Sequence, residues 1–374
     1  MADVRGLAPS RFDPVREVFA RHFDAGLELG AGFALAIEGE IVLDLMAGFA
    51  DRAATHPFDE RTLTPVYSTT KAMAALMVAT LVDEGEADYE ATLAGLWPEF
   101  ADAGKGRITI AEALSHQAGL PGFAEPMDAR DWFDFDLIGR KLTAMAPMWP
   151  PGTASGYHPV TFGFLAGEIF RRATARDLGA AFRDDIARPF GLDAWIGLPD
   201  SEHPRCAETR KPAALPDLGP PTEPRRVAFR TPWASPGGVS LAAWRRASIP
   251  SVTGHATAPA LARMMAILAC DGRLDGRQVL SVPTVAATSA ERIRGPDLVL
   301  PFDLSWGAGF LRNEGLSIYG PGEASFGHSG WGGSCAFADP ERRLSGAYVM
   351  NRQSAYLIGD PRPVALIEAA YGCL

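Results

Sequence analysis

The most continuous apolar stretch of the chain runs over residues 72–82, where Ala, Met and Leu dominate and the next breaker is Gly85. That length suits a buried helix rather than a strand, and Thr64-Pro65 supplies the turn ahead of it. Elsewhere the period changes. Val15, Val18, Phe19 and Phe23 recur at helical spacing, with Ser10 or Asp13 as the expected cap. Residues 32–37 and 41–46 are two apolar runs parted by Glu38-Gly39-Glu40, which predicts a hairpin. Thr109 stands three residues before Glu112, the spacing of a capping box on a short helix over 108–114. Residues 162–172, 178–186, 258–268 and 363–371 read as further helices.

The last eighty residues change character. Residues 306–311, 324–327, 334–338 and 344–350 are short strand-like pieces, and Asp339-Pro340-Glu341 opens a hairpin turn. Strands at both ends with helices between predict an α/β (α+β) chain, its antiparallel sheet built from both termini. The expected division is a sheet domain from 1–75 with 290–374, a mainly helical domain over 76–289, and the active site between them. Residues 199–238 carry nine prolines and few periodic apolar positions. A segment that long without elements of its own reads as a functional cover.

Composition narrows the class. The chain has 374 residues and a formal net charge of −10, which argues against nucleic acid or an anionic membrane surface as partner. No apolar run approaches the ~20 residues of a membrane span, and the first residues lack the apolar stretch of a secretory signal. Cys206, Cys270, Cys335 and Cys373 are scattered without metal spacing and read as reduced thiols. A cytoplasmic enzyme is the expectation. No phosphate loop, dinucleotide fingerprint or His-Glu-x-x-His set is present, so no cofactor and no metal are expected.

Candidate chemistry begins just ahead of the long apolar run, at Tyr67-Ser68-Thr69-Thr70-Lys71. Residues three apart share a helix face, which sets the Lys71 amine beside the Ser68 hydroxyl. Burial lowers a lysine pKa and makes the amine a base for serine. The spacing is weak by itself: with four lysines and eighteen serines, chance supplies one such pair roughly 0.2 times. Taken alone, it reads better as an N-cap serine beside a solvated lysine.

Two further segments change the odds. Tyr157 follows Pro150-Pro151-Gly152, and Phe326-Gly327-His328-Ser329-Gly330-Trp331-Gly332-Gly333 lies near the end. With Ser68-x-x-Lys71, these resemble the serine β-lactamase and penicillin-binding-protein superfamily, in its class C-like branch with the bacterial family VIII carboxylesterases. The likeness covers nearly the whole chain and includes residues 114–121, the segment after Tyr157 and the turn at 338–341. It implies that fold, with Ser68 as a nucleophile forming an acyl-enzyme and Lys71 with Tyr157 handling its proton. A phenol with a reference pKa near 10 needs poising by positive charge to act as a base, which Lys71 is expected to supply. The likeness also assigns the oxyanion donors to the backbone N–H groups of Ser68 and Trp331. It places His328, Ser329, Gly330, Trp331, Gln117, Phe123 and Trp149 at the substrate. A second register, with Trp331-Gly332-Gly333 as the third box, also fits and moves the oxyanion donor.

Departures from the family pattern point to substrate. β-Lactamases and penicillin-binding proteins of this branch carry Tyr-x-Asn and Lys-Thr-Gly. Here position 159 is Pro, and no lysine follows Lys211. His328 replaces a permanent cation with a ring that is mostly neutral at pH 7. Both losses favour short-chain, uncharged carboxylic esters as the small-molecule substrate. Phe123, Trp132, Phe135, Trp149, Trp233 and Trp306 are candidate linings for the acyl group, whereas His116 and His255 read as structural. The alternatives are a β-lactamase, an amidase or peptidase, or an acyltransferase on the same scaffold, and, from another class, a binding protein without catalysis. Oligomeric state leaves no trace in the sequence.

Overall fold

The computed structural model describes residues 3–230 and 239–374; Trp233 and the end of the proline-rich segment lie outside the described residues. Its main sheet has, among the described residues, nine antiparallel strands. Their spatial order is Arg5–Leu7, Glu40–Gly48, Gly30–Ile37, Leu344–Met350, Cys335–Asp339, Phe326–Ser329, Leu311–Arg312, Asp303–Trp306 and Ile293–Pro296. The two ends of the chain thus build one sheet, as expected from the strands at both ends.

Strand alternation sorts side chains by size. Ala34, Ala336, Ala338 and Ala347 join the core that holds the helix Ala258–Ala269. Gly32 lies on the same face, where a Cβ would stand 3.5 Å from that of Ala258. Phe33, Leu35, Phe337 and Tyr348 point the other way, under the helices Asp13–Asp24 and Pro361–Tyr371. Burial on both faces is why these strands read as continuous apolar runs. Ile37 pairs with Glu40 across a two-residue turn in which Glu38 and Gly39 both have positive φ, the geometry that matches strand twist.

Several elements differ from expectation. The first helix is capped by Phe12 without a side-chain bond, and Ser10 belongs to a separate short turn, Ser10–Phe12. The single strand expected over 306–311 breaks at 307–310, so Trp306 and Leu311 pair as neighbours across the turn. The helix expected over 178–186 is one α turn, Leu178–Ala181, continued as a wider π turn, Phe182–Ala187. The edge strands Arg5–Leu7 and Ile293–Pro296 carried no apolar signal because they are largely exposed.

The helix Thr70–Asp83 is hydrophobic all round, as a fully enclosed helix should be. It packs against Thr161–Thr174 and Val282–Ser289. Thr64–Pro65, just ahead of it, pairs with Gly254–Ala256 in a small second sheet. The capping box forms as expected: Thr109 Oγ1 accepts from the Glu112 amide at 3.1 Å, and the Thr109 amide donates to Glu112 at 2.8 Å. All four cysteines are free.

Candidate active site

Across residues 62–79 every residue is buried except Ser68. Tyr67, immediately before it, has φ +46, a left-handed conformation uncommon outside glycine and typical of functional sites. The surroundings hold this turn from several directions. Thr70 Oγ1 donates to the Tyr67 carbonyl and accepts from the Gly254 amide at 2.9 Å. On the other side, Ser334 Oγ donates to the Val66 carbonyl at 2.9 Å and stands 3.1 Å from Thr69 Oγ1. Ser334 and Gly254 carried no signal in the sequence; their roles come from long-range packing.

Lys71 is fully buried. Its Nζ lies 3.1 Å from Ser68 Oγ, 2.7 Å from the Pro159 carbonyl and 3.2 Å from the Ser251 carbonyl. No carboxylate pairs with it among the described residues. Burial therefore pushes its pKa well below the usual lysine value. A neutral amine has two N–H donors and one lone pair. The carbonyls of Pro159 and Ser251 can only accept, so the lone pair faces Ser68, whose hydroxyl becomes the donor.

Tyr157 hydrogen-bonds Ser68 through its phenol, and its backbone N–H donates to Asp297 Oδ1 at 2.9 Å. That oxygen also accepts from the amides of Val299 and Leu300, which ties the tyrosine's loop to the strand region. The ring stacks on Trp306 at 5.9 Å between centres and meets His116 edge-on at 4.8 Å. Burial, reinforced by Asp297, raises the phenol pKa above its ordinary value of 10. The sequence suggested a phenol poised low by a charged Lys71. The structure reverses this, because one dry environment disfavours both the phenolate and the ammonium.

His328 is likewise uncharged, since burial lowers its pKa to about 3. Its Nδ1 lies 2.8 Å from the Ser329 carbonyl, so that nitrogen carries the proton. His116 and His158 are buried with lowered pKa values. His116 Nδ1 accepts from the His158 amide at 3.1 Å, and His158 Nε2 accepts from the Leu120 amide at 2.9 Å. His116 thus bonds backbone as expected of a structural histidine, and with His158 it forms a neutral wall behind Tyr157. His255 belongs elsewhere, against the Thr253 carbonyl at 2.9 Å.

A cavity of about 220 Å³ opens over Ser68. Tyr157, Trp306, His328, Ser329 and Trp331 line it, with Leu215, Leu218 and Phe229 contributed by the proline-rich segment. No lysine or arginine is among its described lining residues. Three other predicted contacts stand apart from it. Gln117 is buried and donates to Ser115 Oγ at 2.6 Å. Phe123 packs on Trp132 in the core, and Trp149 donates to the Ala154 carbonyl at 3.0 Å. Each is drawn into core or loop packing by its nearest partner. Trp132 and Phe135 pack on Phe164 and likewise belong to the core.

Gly330 touches the serine turn: a Cβ there would lie 2.2 Å from the Val66 carbonyl and 2.3 Å from Ser334 Oγ. Gly332 and Gly333 adopt positive φ and face Gln353, Asp360 and Arg362 instead. The amide N–H groups of Ser68 and Trp331 meet no acceptor among the described residues. Among the described residues no three His, Cys, Asp or Glu side chains form a set able to hold a metal, and no helix is long and apolar enough to cross a membrane.

Comparisons with known proteins identify the family and its relatives. The Beta-lactamase family model matches residues 19–369. The chain is 34% identical over 369 residues to "Esterase/beta-lactamase LipL" of Mycobacterium tuberculosis (strain ATCC 25618 / H37Rv), covering 95% of this chain and 84% of that protein. A penicillin-binding protein homologue from Caulobacter crescentus superposes over the full length of both chains with TM-score 0.97 and 59% identity. A family VIII carboxylesterase structure does so with TM-score 0.93 and 41% identity.

Proposed function

The chain belongs to the Beta-lactamase family, and from that premise we propose that it is a serine carboxylesterase hydrolysing short-chain, uncharged esters through an acyl-enzyme on Ser68. The observation that carries this reading is the chain of neutral groups from Tyr157 through Ser68 to Lys71, opening on an apolar cavity. In that chain the Tyr157 hydroxyl donates to Ser68 Oγ, and the Ser68 hydroxyl donates to Lys71 Nζ. Ser68 Oγ attacks the ester carbonyl carbon as its proton passes to Lys71. The amides of Ser68 and Trp331 hold the oxyanion, and each such donor is worth roughly 3–4 kcal/mol by analogy with measured cases. The carbon–oxygen bond to the alcohol then breaks. Tyr157 gives its proton to the leaving alkoxide and regains one from the Lys71 ammonium, whose nitrogen sits 4.9 Å from the ring centre. Water attacks the acyl-enzyme by the same steps in reverse roles and releases the acid.

The uncharged lining and the neutral His328 support ester over β-lactam, because a drug carboxylate entering this cavity loses hydration without gaining a counter-charge. Relatives named esterase and carboxylesterase support the same choice. The contact of Gly330 with the serine turn supports His328-Ser329-Gly330 as the third box. We read the walls of the cleft as a discontinuous sheet domain, 1–75 with 290–374, and a helical domain, 76–289. The relative named both esterase and β-lactamase keeps lactam hydrolysis as the second reading. The deciding experiment runs p-nitrophenyl acetate and butyrate beside nitrocefin, with wild type and Ser68→Ala. Ester turnover that vanishes in the variant, with covalent fluorophosphonate labelling of Ser68, supports the proposal. Ester turnover persisting at the wild-type rate in Ser68→Ala refutes it.

A further inference from the structure

Tyr67 borders two cavities. One is the Ser68 cavity, and the other, of about 320 Å³, is lined by Arg52, Lys211, Arg245 and Trp244. Three cations meet one carboxylate there, that of Glu208, in a chain whose net charge is −10. None of these cations forms an ion pair among the described residues. Glu208 accepts from the Arg52 backbone amide at 3.0 Å, and the Arg52 side chain donates to the Thr209 carbonyl at 3.1 Å. Two donors have no partner: Arg245 Nε and Trp244 Nε1 are both buried without an acceptor. Buried donors are nearly always satisfied, and each exception calls for an explanation. Tyr67 and Trp244 supply flat ring walls, their centres 5.9 Å apart at 44°, beside Thr209 and His255.

We propose that this cavity binds a small organic anion, a carboxylate carrying a flat apolar tail. The carboxylate would meet Lys211 and Arg245, and the tail would lie against Tyr67 and Trp244. Clustered cations without a carboxylate partner attract a carboxylate, more so at low salt, while the surplus charge discourages cationic ligands. A ligand seated there would rest on the residue directly before Ser68. The site stands independently of the ester reading, since its occupancy is measured by binding alone.

The test is calorimetric titration of the full chain with benzoate, using benzyl alcohol as the uncharged control of similar shape. The expected result is one benzoate per chain, bound at least about tenfold tighter than benzyl alcohol and weakened by added salt. The double variant Lys211→Ala/Arg245→Ala should weaken benzoate by about tenfold or more while leaving benzyl alcohol unchanged. Glu208→Gln, which removes the one opposing charge, should tighten benzoate severalfold. These opposite shifts cannot both arise from misfolding. Absence of binding at 10 mM benzoate, on the order of the weakest useful affinity, would overturn the proposal. So would affinity unchanged in the double variant or reduced in Glu208→Gln.

Discussion

The Lys71 amine stands 3.1 Å from the Ser68 hydroxyl, and its two other partners are the carbonyl oxygens of Pro159 and Ser251. A lysine so placed has no carboxylate to hold its charge, and burial drives its pKa well below 10.5. If Lys71 is the base, acylation needs it neutral, so the rate should rise as pH climbs through its lowered pKa and then level off. The burst phase with p-nitrophenyl acetate between pH 5 and 9 reads this limb. Lys71→Ala should reduce the burst rate by about 10²–10⁴-fold, the usual worth of a general base. A burst that survives at the wild-type rate, or a limb sitting near 10.5, would remove Lys71 from that role.

His328 gives a complementary prediction. Its folded pKa of about 3 keeps the ring neutral throughout that assay range, so it should add no limb to the profile. His328→Gln retains a polar side chain and should leave the shape of the pH profile unchanged even where the absolute rate falls. His328→Lys restores a cation, and nitrocefin turnover relative to ester turnover should then rise. A profile that loses its acidic limb in His328→Gln would transfer the base role from Lys71 to His328.

The glycine turn makes a steric prediction. A Cβ on Gly330 would meet the Val66 carbonyl at 2.2 Å and Ser334 Oγ at 2.3 Å, and backbone atoms cannot swing aside as a flexible side chain can. Gly330→Ala should therefore displace the strand end from the Ser68 turn and lower kcat by more than tenfold, an oxyanion-scale loss. KM for a small ester should change less. Ser334→Ala removes bonds to Val66 and Thr69 and should cost about 1–3 kcal/mol of stability as the buried Val66 acceptor loses a partner. Thermal unfolding of both variants beside steady-state kinetics separates the two effects. Gly330→Ala with unaltered kcat would mean that this contact does not position the donor.

What the sequence revealed here followed local rules. The run at 72–82 announced its helix because a helix enclosed on all sides is apolar on all sides, and Thr109 with Glu112 announced a cap because both partners lie within one turn. Ser68 and Lys71 were visible for the same reason of short separation. Ser334, Ser251 and Asp297 were invisible, since each acts on a residue at least 140 positions away and none belongs to a spaced motif. Gln117, Phe123 and Trp149 stand apart from the cavity, because neither likeness nor nearness to a motif says which way a side chain turns. Tyr157 was placed beside Ser68 by resemblance, but the direction of its pKa shift depends on burial, which only the fold supplies.

Leu215 and Leu218 bear on chain-length preference. Both line the Ser68 cavity from the proline-rich segment, and Leu215 is 77% exposed, so its apolar surface is open to an acyl chain. Ester acyl chains extending toward them would gain about 0.8 kcal/mol for each buried methylene. Leu215→Ser/Leu218→Ser should accordingly raise KM for butyrate or hexanoate severalfold while leaving acetate nearly unaffected. An equal rise for all three chain lengths would place the acyl group on another wall of the cavity.

The final prediction concerns a buried cluster behind the glycine turn. Arg362 donates to the Gly332 carbonyl at 2.6 Å, to Asp360 at 2.8 Å and to Glu28 at 3.0 Å. Tyr348 closes the set with a hydrogen bond to Glu28. Burial raises the Glu28 pKa to about 7, outweighing the attraction of Arg362. Because the folded value lies above the unfolded one near 4.5, the folded state binds the proton more tightly. Its contribution to stability is complete below about pH 4.5 and is lost as pH rises through about 7. Glu28→Gln fixes the neutral form and abolishes this loss. The melting temperature of the variant should therefore gain on wild type steadily between pH 5 and 8, whatever its offset at pH 5. A difference that stays flat, or shrinks as pH rises, would mean that Glu28 is ionised against Arg362 and that the ion pair, not the protonated acid, anchors the turn carrying Trp331.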